Sequence, residues 1–203
     1  MVQYKKDKIK EKIDSVALTV FAEKGYSGTK ISDIAQMAGI SVGNIYRYYR
    51  SKNEIFHCIV PERFLVEVKN LLVEKISSAE GKSLEFIEKR DELWLFNNQF
   101  INFMVENRER MLIVFHNSEG TKYENEKAEL VNFLVKTLKE RYTEQYNQLL
   151  EVNKGDFVIR LIYQNLINMT LRILEETKDI EEVKKYLKSI NSYHMFGITN
   201  LLK

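Results

Sequence analysis

Residues 31–56 read ISDIAQMAGISVGNIYRYYRSKNEIF. Ile31, Ile34 and Ala35 fall on one face of a short helix, which Gly39 breaks. Thr29 is placed to cap that helix, and Ser41 to cap another running to about Tyr48. In the second helix Ile45 and Tyr49 are four residues apart and face the core together. Val42, Gly43, Asn44, Tyr46, Arg47 and Tyr48 are left facing outward. Two short helices joined by a glycine turn, with a longer helix before them, form a helix–turn–helix. In that geometry the second short helix enters the DNA major groove, with its N-terminal residues nearest the bases. Gly43 permits close approach, Asn44 offers a donor and an acceptor, and tyrosine hydroxyls and Arg47 suit phosphate oxygens. Lys52 adds a cation at the start of the next helix.

Upstream, Ile9, Ile13, Val16, Ala17, Val20 and Phe21 make one stripe of an amphipathic helix, and Gly25 is suited to close it in the left-handed conformation. Downstream, Ser51 and Glu54 carry a capping-box signature for a fourth helix. Pro61 removes the amide that would reach the carbonyl of His57, so the spacing predicts a kink or break near residues 57–61. Later punctuation at SSAEGKS (77–83), NSEGTK (117–122), NKGD (153–156) and TKD (177–179) separates further helical stretches. The predicted fold is all-α, with about nine helices. A helix–turn–helix head occupies residues 1–50 and a larger body residues 51–203. Within the body, 51–77 form a connecting helix.

The chain has 203 residues, 44 % hydrophobic and 30 % charged, with one proline and one cysteine, Cys58. That composition suits a globular protein with an ample core and excludes collagen-like and low-complexity classes. No apolar run approaches the length that spans a bilayer, and the basic start MVQYKKDKIKEKIDS lacks a signal-peptide core. The expectation is a cytoplasmic protein without membrane partners, an internal disulfide being impossible with one cysteine. The formal charge of +2 divides unevenly: residues 1–53 carry +5 and the remainder −3. A basic head on a mildly acidic body points toward a polyanion.

The run TKISDIAQMAGISVGNIYRYYRSKNEIF resembles the DNA-binding signature of the TetR family of bacterial transcription regulators. The resemblance lies in the IA pair, AG at the turn, the G-x-I-Y core, the aromatic pair and SK-x-E-I-F. The upstream FAEKGYSGT resembles that family's end of helix one. By resemblance, Tyr46 and Tyr48 contact phosphates, and Gly43, Asn44 and Arg47 face bases or phosphates. Thr29 and Lys52 grip the backbone, with Lys30 and Ser41 beside them. Val42 departs from the polar or basic residue common at its position and is suited to a thymine methyl. The family implies double-stranded DNA with a palindromic operator, a homodimer, a small-molecule effector and release of a repressor by that effector. An architectural or checkpoint protein with the same head, whose body binds another protein, is the alternative.

Residues 156–174, DFVIRLIYQNLINMTLRIL, are apolar nearly all round, so burial is expected on both sides, one of them against a partner. With residues 183–201 they resemble the family's dimerisation pair, within 156–203. Leu161, Asn165, Leu166, Met169, Leu187, Ile190, His194 and Gly197 are the candidate contacts. The central helices hold an aromatic surplus. The resemblance implies a pocket there, for which Trp94, Phe100, Phe103, Phe115, His116 and Tyr163 are candidates. Arg90, Arg108 and Arg110 sit in charged stretches and are expected to be solvated. His57, His116 and His194 are far apart in sequence, and His57 and Cys58 point to different helix faces. With no phosphate loop or dinucleotide fingerprint, no catalytic, metal or cofactor site is expected.

Overall fold

A computed structural model describes residues 2–77, 97–141, 143 and 156–201, with side chains through His194 from residue 6 onward. Among the described residues every regular element is helical. The helices are α1 (Val2–Gly28), α2 (Ile31–Ala38), α3 (Val42–Ile45), α4 (Lys52–Ile59), α5 (Glu62–Ser77), α6 (Asn98–Glu106), α7 (Arg108–His116), α8 (Glu126–Arg141), α9 (Asp156–Glu176) and α10 (Ile180–Leu201). They gather into two units: residues 1–65 with 109–125, and residues 66–108 with 126–203.

In the first unit α1 packs on α2 and α4, and α2 packs on α3. The expected stripe of α1 delivers Ile13, Ala17, Val20 and Phe21 to the core, each at most 1 % exposed. Ile34, Ala35 and Ile45 close over them, with Ile55 and Phe56 from α4. Phe21, Tyr26 and Phe56 meet ring to ring at centroid distances of 5.0–5.8 Å, and Tyr123 joins Phe56 at 5.9 Å. Such pairs add to the area buried by the rings themselves. The unit therefore continues past residue 50, through the first residues of α5, and takes in α7 with its following turn.

Several local expectations meet a different outcome. Thr29 does not cap α2. It is 1 % exposed and its hydroxyl donates back into α1, to the carbonyl of Gly25 at 2.6 Å. Lys30 takes the cap position, and its amide donates to the Asp33 carboxylate at 3.0 Å, which holds that carboxyl below its usual range. Ser41 does cap α3, accepting from Asn44 N–H. The α-helical part of α3 stops at Ile45, and looser turns carry the chain to Tyr49. Ser51 accepts from Glu54 N–H, but the Glu54 carboxylate accepts from the Arg50 amide, one residue before the position a capping box uses. Gly25 has positive φ with extended ψ (70, 167), a break in the helix and not a left-handed cap. Gly39, at φ 63 and ψ 36, is such a cap. The predicted break at Pro61 is present: α4 ends at Ile59, Val60 leaves helical geometry, and α5 starts at Glu62.

In the second unit α9 packs on α8 and α10, and α10 packs on α6. Ile159, Tyr163, Leu166, Leu171 and Leu174 from α9 meet a core that includes Leu130, Leu134 and Leu187. Arg108 and Arg110 are not simply solvated. Arg108 donates to the carbonyls of Leu174 and Glu175 at the end of α9. In the first unit Arg110 Nε donates to the carbonyl of Ile59, the last residue of α4, at 2.7 Å. Each guanidinium satisfies carbonyls that a helix C-terminus leaves without amides.

Candidate nucleic-acid interface

The face that α3 presents follows from two constraints on four residues. Ile45 is fully buried and Tyr49 is 3 % exposed, which fixes the helix on the core by the i, i+4 pair. The intervening side chains have no room inward. Val42 is 38 % and Tyr46 53 % exposed, Ser41, Gly43 and Arg47 are exposed, and Asn44 and Tyr48 are half-buried. A Cβ built on Gly43 would meet nothing within 4 Å. The backbone there is thus open to an approaching surface, as a groove-entering helix requires.

Lys30, at the start of α2, and Arg50, which directly follows Tyr49 in the chain, are exposed. Sequence reasoning passed over Arg50, and also Gln36 and Met37, which lie exposed on α2; Met37 is 49 % exposed. The signal for the α2 pair was present. Both fall off the Ile31, Ile34, Ala35 face in a helix too short to hide anything on its far side.

Lys52 occupies a different environment from the one its charge suggested. Its ammonium donates to the carbonyls of Tyr26 at 2.7 Å and Thr29 at 2.9 Å, and lies 4.2 Å above the Tyr26 ring. Partial burial pulls its pKa below the ordinary lysine value. Lys52 and Thr29 together tie the start of α2 and α4 to the end of α1.

Tyr49 anchors the other end of the recognition segment. Its hydroxyl donates to the Asp14 carboxylate of α1, which also receives Lys10 Nζ at 2.9 Å. Cys58 Sγ borders the cluster, 3.4 Å from Lys10 Nζ and 3.5 Å from the Tyr49 hydroxyl. Burial first, then the hydrogen bond to Asp14, push the tyrosine pKa far above its normal value. The recognition segment is therefore held by a core isoleucine at one point and a buried phenol at another, with Tyr46 and Arg47 left exposed between them.

The candidate dimer residues divide. Leu166 (7 % exposed), Leu187 (0 %) and His194 (5 %) are buried within the chain itself. Leu161 (42 %) and Asn165 are exposed, and Met169 and Ile190 are half-buried. Phe157, Tyr186 and Tyr193 extend the open apolar face, at 67 %, 43 % and 72 % exposure. Met169, Ile173, Tyr186 and Ile190 line an open groove of about 340 Å³ between α9 and α10. The side-chain surroundings of Gly197 lie outside the described residues. His194, 5.7 Å from the Tyr163 ring, has its pKa lowered to about 4 by burial.

The candidate pocket residues are divided between the two units. Phe100, Phe103 and Tyr163 belong to the second unit; Phe115 and His116 belong to the first. Phe100, Phe115 and Tyr163 are buried at 4 %, 2 % and 6 % exposure, Phe103 is half-buried and His116 is exposed. Trp94 lies outside the described residues. Among the described residues, no three His, Cys, Asp or Glu side chains could hold a metal ion together, and no helix is long and apolar enough to cross a membrane.

Comparison with known proteins agrees with this geometry. Residues 13–59 match the profile of the bacterial regulatory proteins, tetR family. The stretch is similar to part of the biofilm operon icaADBC HTH-type negative transcriptional regulator IcaR of Staphylococcus epidermidis, at 39 % identity over 56 residues. The same-named regulator of Staphylococcus aureus strain Newman is 42 % identical over 48 residues. These matches cover 28 % and 24 % of this chain, and only 30 % and 26 % of those relatives. Across the whole chain the fold is similar to a transcriptional regulator of Aquifex aeolicus. That similarity has a TM-score of 0.52 at 19 % identity, covering 94 % of this chain and 99 % of that one. A TetR-like regulator from Rhodococcus sp. RHA1 is similar to the same degree, with a TM-score of 0.52, 17 % identity, and 93 % and 96 % coverage.

Proposed function

We propose that this chain, which belongs to the tetR family of bacterial regulatory proteins, is a cytoplasmic, dimeric transcription repressor that a small, largely apolar molecule releases from a palindromic operator. The observation that carries the reading is the outward face of α3. Asn44, Tyr46, Arg47 and Tyr48 stand off a helix whose only buried residue is Ile45, beside an open Gly43 backbone. A solvated corner of a fold has no need of three large polar or aromatic groups around an unobstructed glycine. A groove-entering helix uses all of them.

The dimer is supported by the apolar face of α9 and α10, where Phe157, Leu161, Tyr186 and Tyr193 are left uncovered within one chain. One four-residue recognition helix contacts few base pairs. Two related by a twofold axis read an inverted repeat with half-sites about one helical turn, roughly 34–36 Å, or a compatible multiple apart. An effector weakens such binding only by the ratio of its affinities for the DNA-competent and incompetent states. The aromatic content of the central helices is what suggests an apolar effector.

Selection of bound duplexes from a random pool tests the reading. Recovery of an inverted repeat is the expected outcome. Unselective recovery with a steep salt dependence overturns it and favours an architectural protein that grips backbone alone.

A further inference from the structure

We infer that Asn117 and the turn after α7 are positioning elements for DNA recognition, although they lie far from the recognition helix in sequence. The inference rests on the regulator reading above and adds residues outside the stretch that matches the family.

The argument begins with the end of α1. Gly25, at φ 70 and ψ 167, interrupts the helical ladder and leaves the preceding carbonyls without their usual amides. Asn117 fills the gap from both of its faces. Its side-chain amide donates to the carbonyl of Ala22 at 2.8 Å, and its backbone carbonyl accepts from Tyr26 N–H at 3.0 Å. Its own amide is spent on the carbonyls of Leu112 and Ile113, which anchors it to α7.

Two residues on, the contact repeats: Ser27 Oγ donates to the carbonyl of Glu119 at 2.7 Å. The two glycines here, Gly25 and Gly120, both take positive φ, a conformation that side chains disfavour. A Cβ on Gly120, which has φ 80, would meet Ser27 Oγ at 2.9 Å, and one on Gly25 would lie 3.5 Å from the Asn117 carbonyl.

The segment held in this way, residues 22–27, runs directly into the N-terminus of α2. Thr29 donates to the Gly25 carbonyl, and Lys52 joins the carbonyls of Tyr26 and Thr29. Helix α2 packs on α3. Asn117 thus fixes the turn from which the helix–turn–helix departs. Its side-chain amide, backbone N–H and carbonyl are all engaged within the protein, so its effect is expected chiefly in discrimination between sequences.

The test is Asn117→Asp, which keeps the shape but turns a carboxylate oxygen toward the Ala22 carbonyl. At pH 7.5 operator affinity should fall about tenfold, the effect of one unpaired, repelled polar contact passed on to the recognition helix. Affinity for random duplex should fall less than affinity for the operator, because only the operator rewards base contacts that need an accurately placed helix. Lowering the pH protonates the aspartate, restores a donor to Ala22, and should return the operator-to-random ratio toward that of the parent chain. Amide exchange at Tyr26 reports whether the clasp has opened. If that amide exchanges faster and the ratio is unchanged, the inference is overturned.

Should Asn117→Asp fail to fold, Ser27→Ala removes the exposed second contact and should lower the ratio about twofold; an unchanged ratio there overturns the inference equally. A parent chain that prefers no duplex overturns the regulator reading and this inference with it. A parent that discriminates, beside a variant that does so equally, overturns the inference alone.

Discussion

Replacing Tyr49 by phenylalanine removes one oxygen from a buried position and leaves the ring in place. That oxygen donates to Asp14 in the parent chain, and Tyr49 is 3 % exposed. Hydrogen bonds to charged acceptors contribute about 1.5–3 kcal/mol. The lower end applies, because Asp14 keeps Lys10 at 2.9 Å and its side chain remains a quarter exposed. A loss of about 1.5–2 kcal/mol at pH 7, read by urea denaturation, is therefore expected. The pH dependence gives a sharper test. Burial and the Asp14 bond keep the phenol protonated well above its ordinary value of 10.0. The unfolded chain releases that proton near pH 10, whereas the folded chain retains it. The stabilisation is complete below pH 10 and declines above it, by about 1.4 kcal/mol per pH unit for one proton. Parent and Tyr49→Phe stabilities should thus converge as pH rises and meet at about pH 11.5. Parallel curves between pH 9 and 11.5, or equal stability at pH 7, would refute the reasoning and leave the recognition segment held by Ile45 alone.

Three further outcomes follow from the geometry. His194, with its pKa lowered to about 4 by burial, stays neutral in the folded chain while the unfolded chain takes up a proton near pH 6.5. Stability should therefore be intact above pH 6.5 and fall by roughly 3 kcal/mol toward pH 4, and His194→Gln should flatten that part of the curve in urea titrations. Arg47→Ala should weaken operator binding by about 1–3 kcal/mol if it reads a base, with little change on random duplex. An equal loss on both would make it a phosphate contact. Leu161→Arg places a charge on the open face of α9, where the folded chain can accept it, and should give a monomer by light scattering at micromolar concentration. A persistent dimer would place the partner surface elsewhere.

Periodicity carried the core of the head, because each of its helices turns one apolar face to that core. Ile13, Ala17, Val20 and Phe21 were legible as core, and Ile45 with Tyr49 as the anchor of α3, from spacing alone. The misreadings share a physical cause. Thr29, read as a cap, and Arg108 and Arg110, read as solvated, are polar residues whose types suit either solvent or a helix terminus. Which one they serve depends on where carbonyls are left without amides, and that is settled by tertiary structure. Gly25 was visible as a break, but what fills the break is Asn117, which a window of sequence around residue 25 does not contain. The body was legible only as helices. Its faces are apolar in too many directions for spacing to separate the side that packs on α8 and α10 from the side left open. The residues chosen for the interface accordingly fell on both, Leu166 inside and Leu161 outside. The aromatic surplus meets the same ambiguity: Phe100 and Phe115 are buried in different units, and an apolar stripe has the same spacing whether it closes on a ligand or on its own chain. What distinguishes the face of α3 from these is its polarity: Asn44, Tyr46, Arg47 and Tyr48 surround a buried anchor, and that grouping is the feature on which the proposed DNA contact rests.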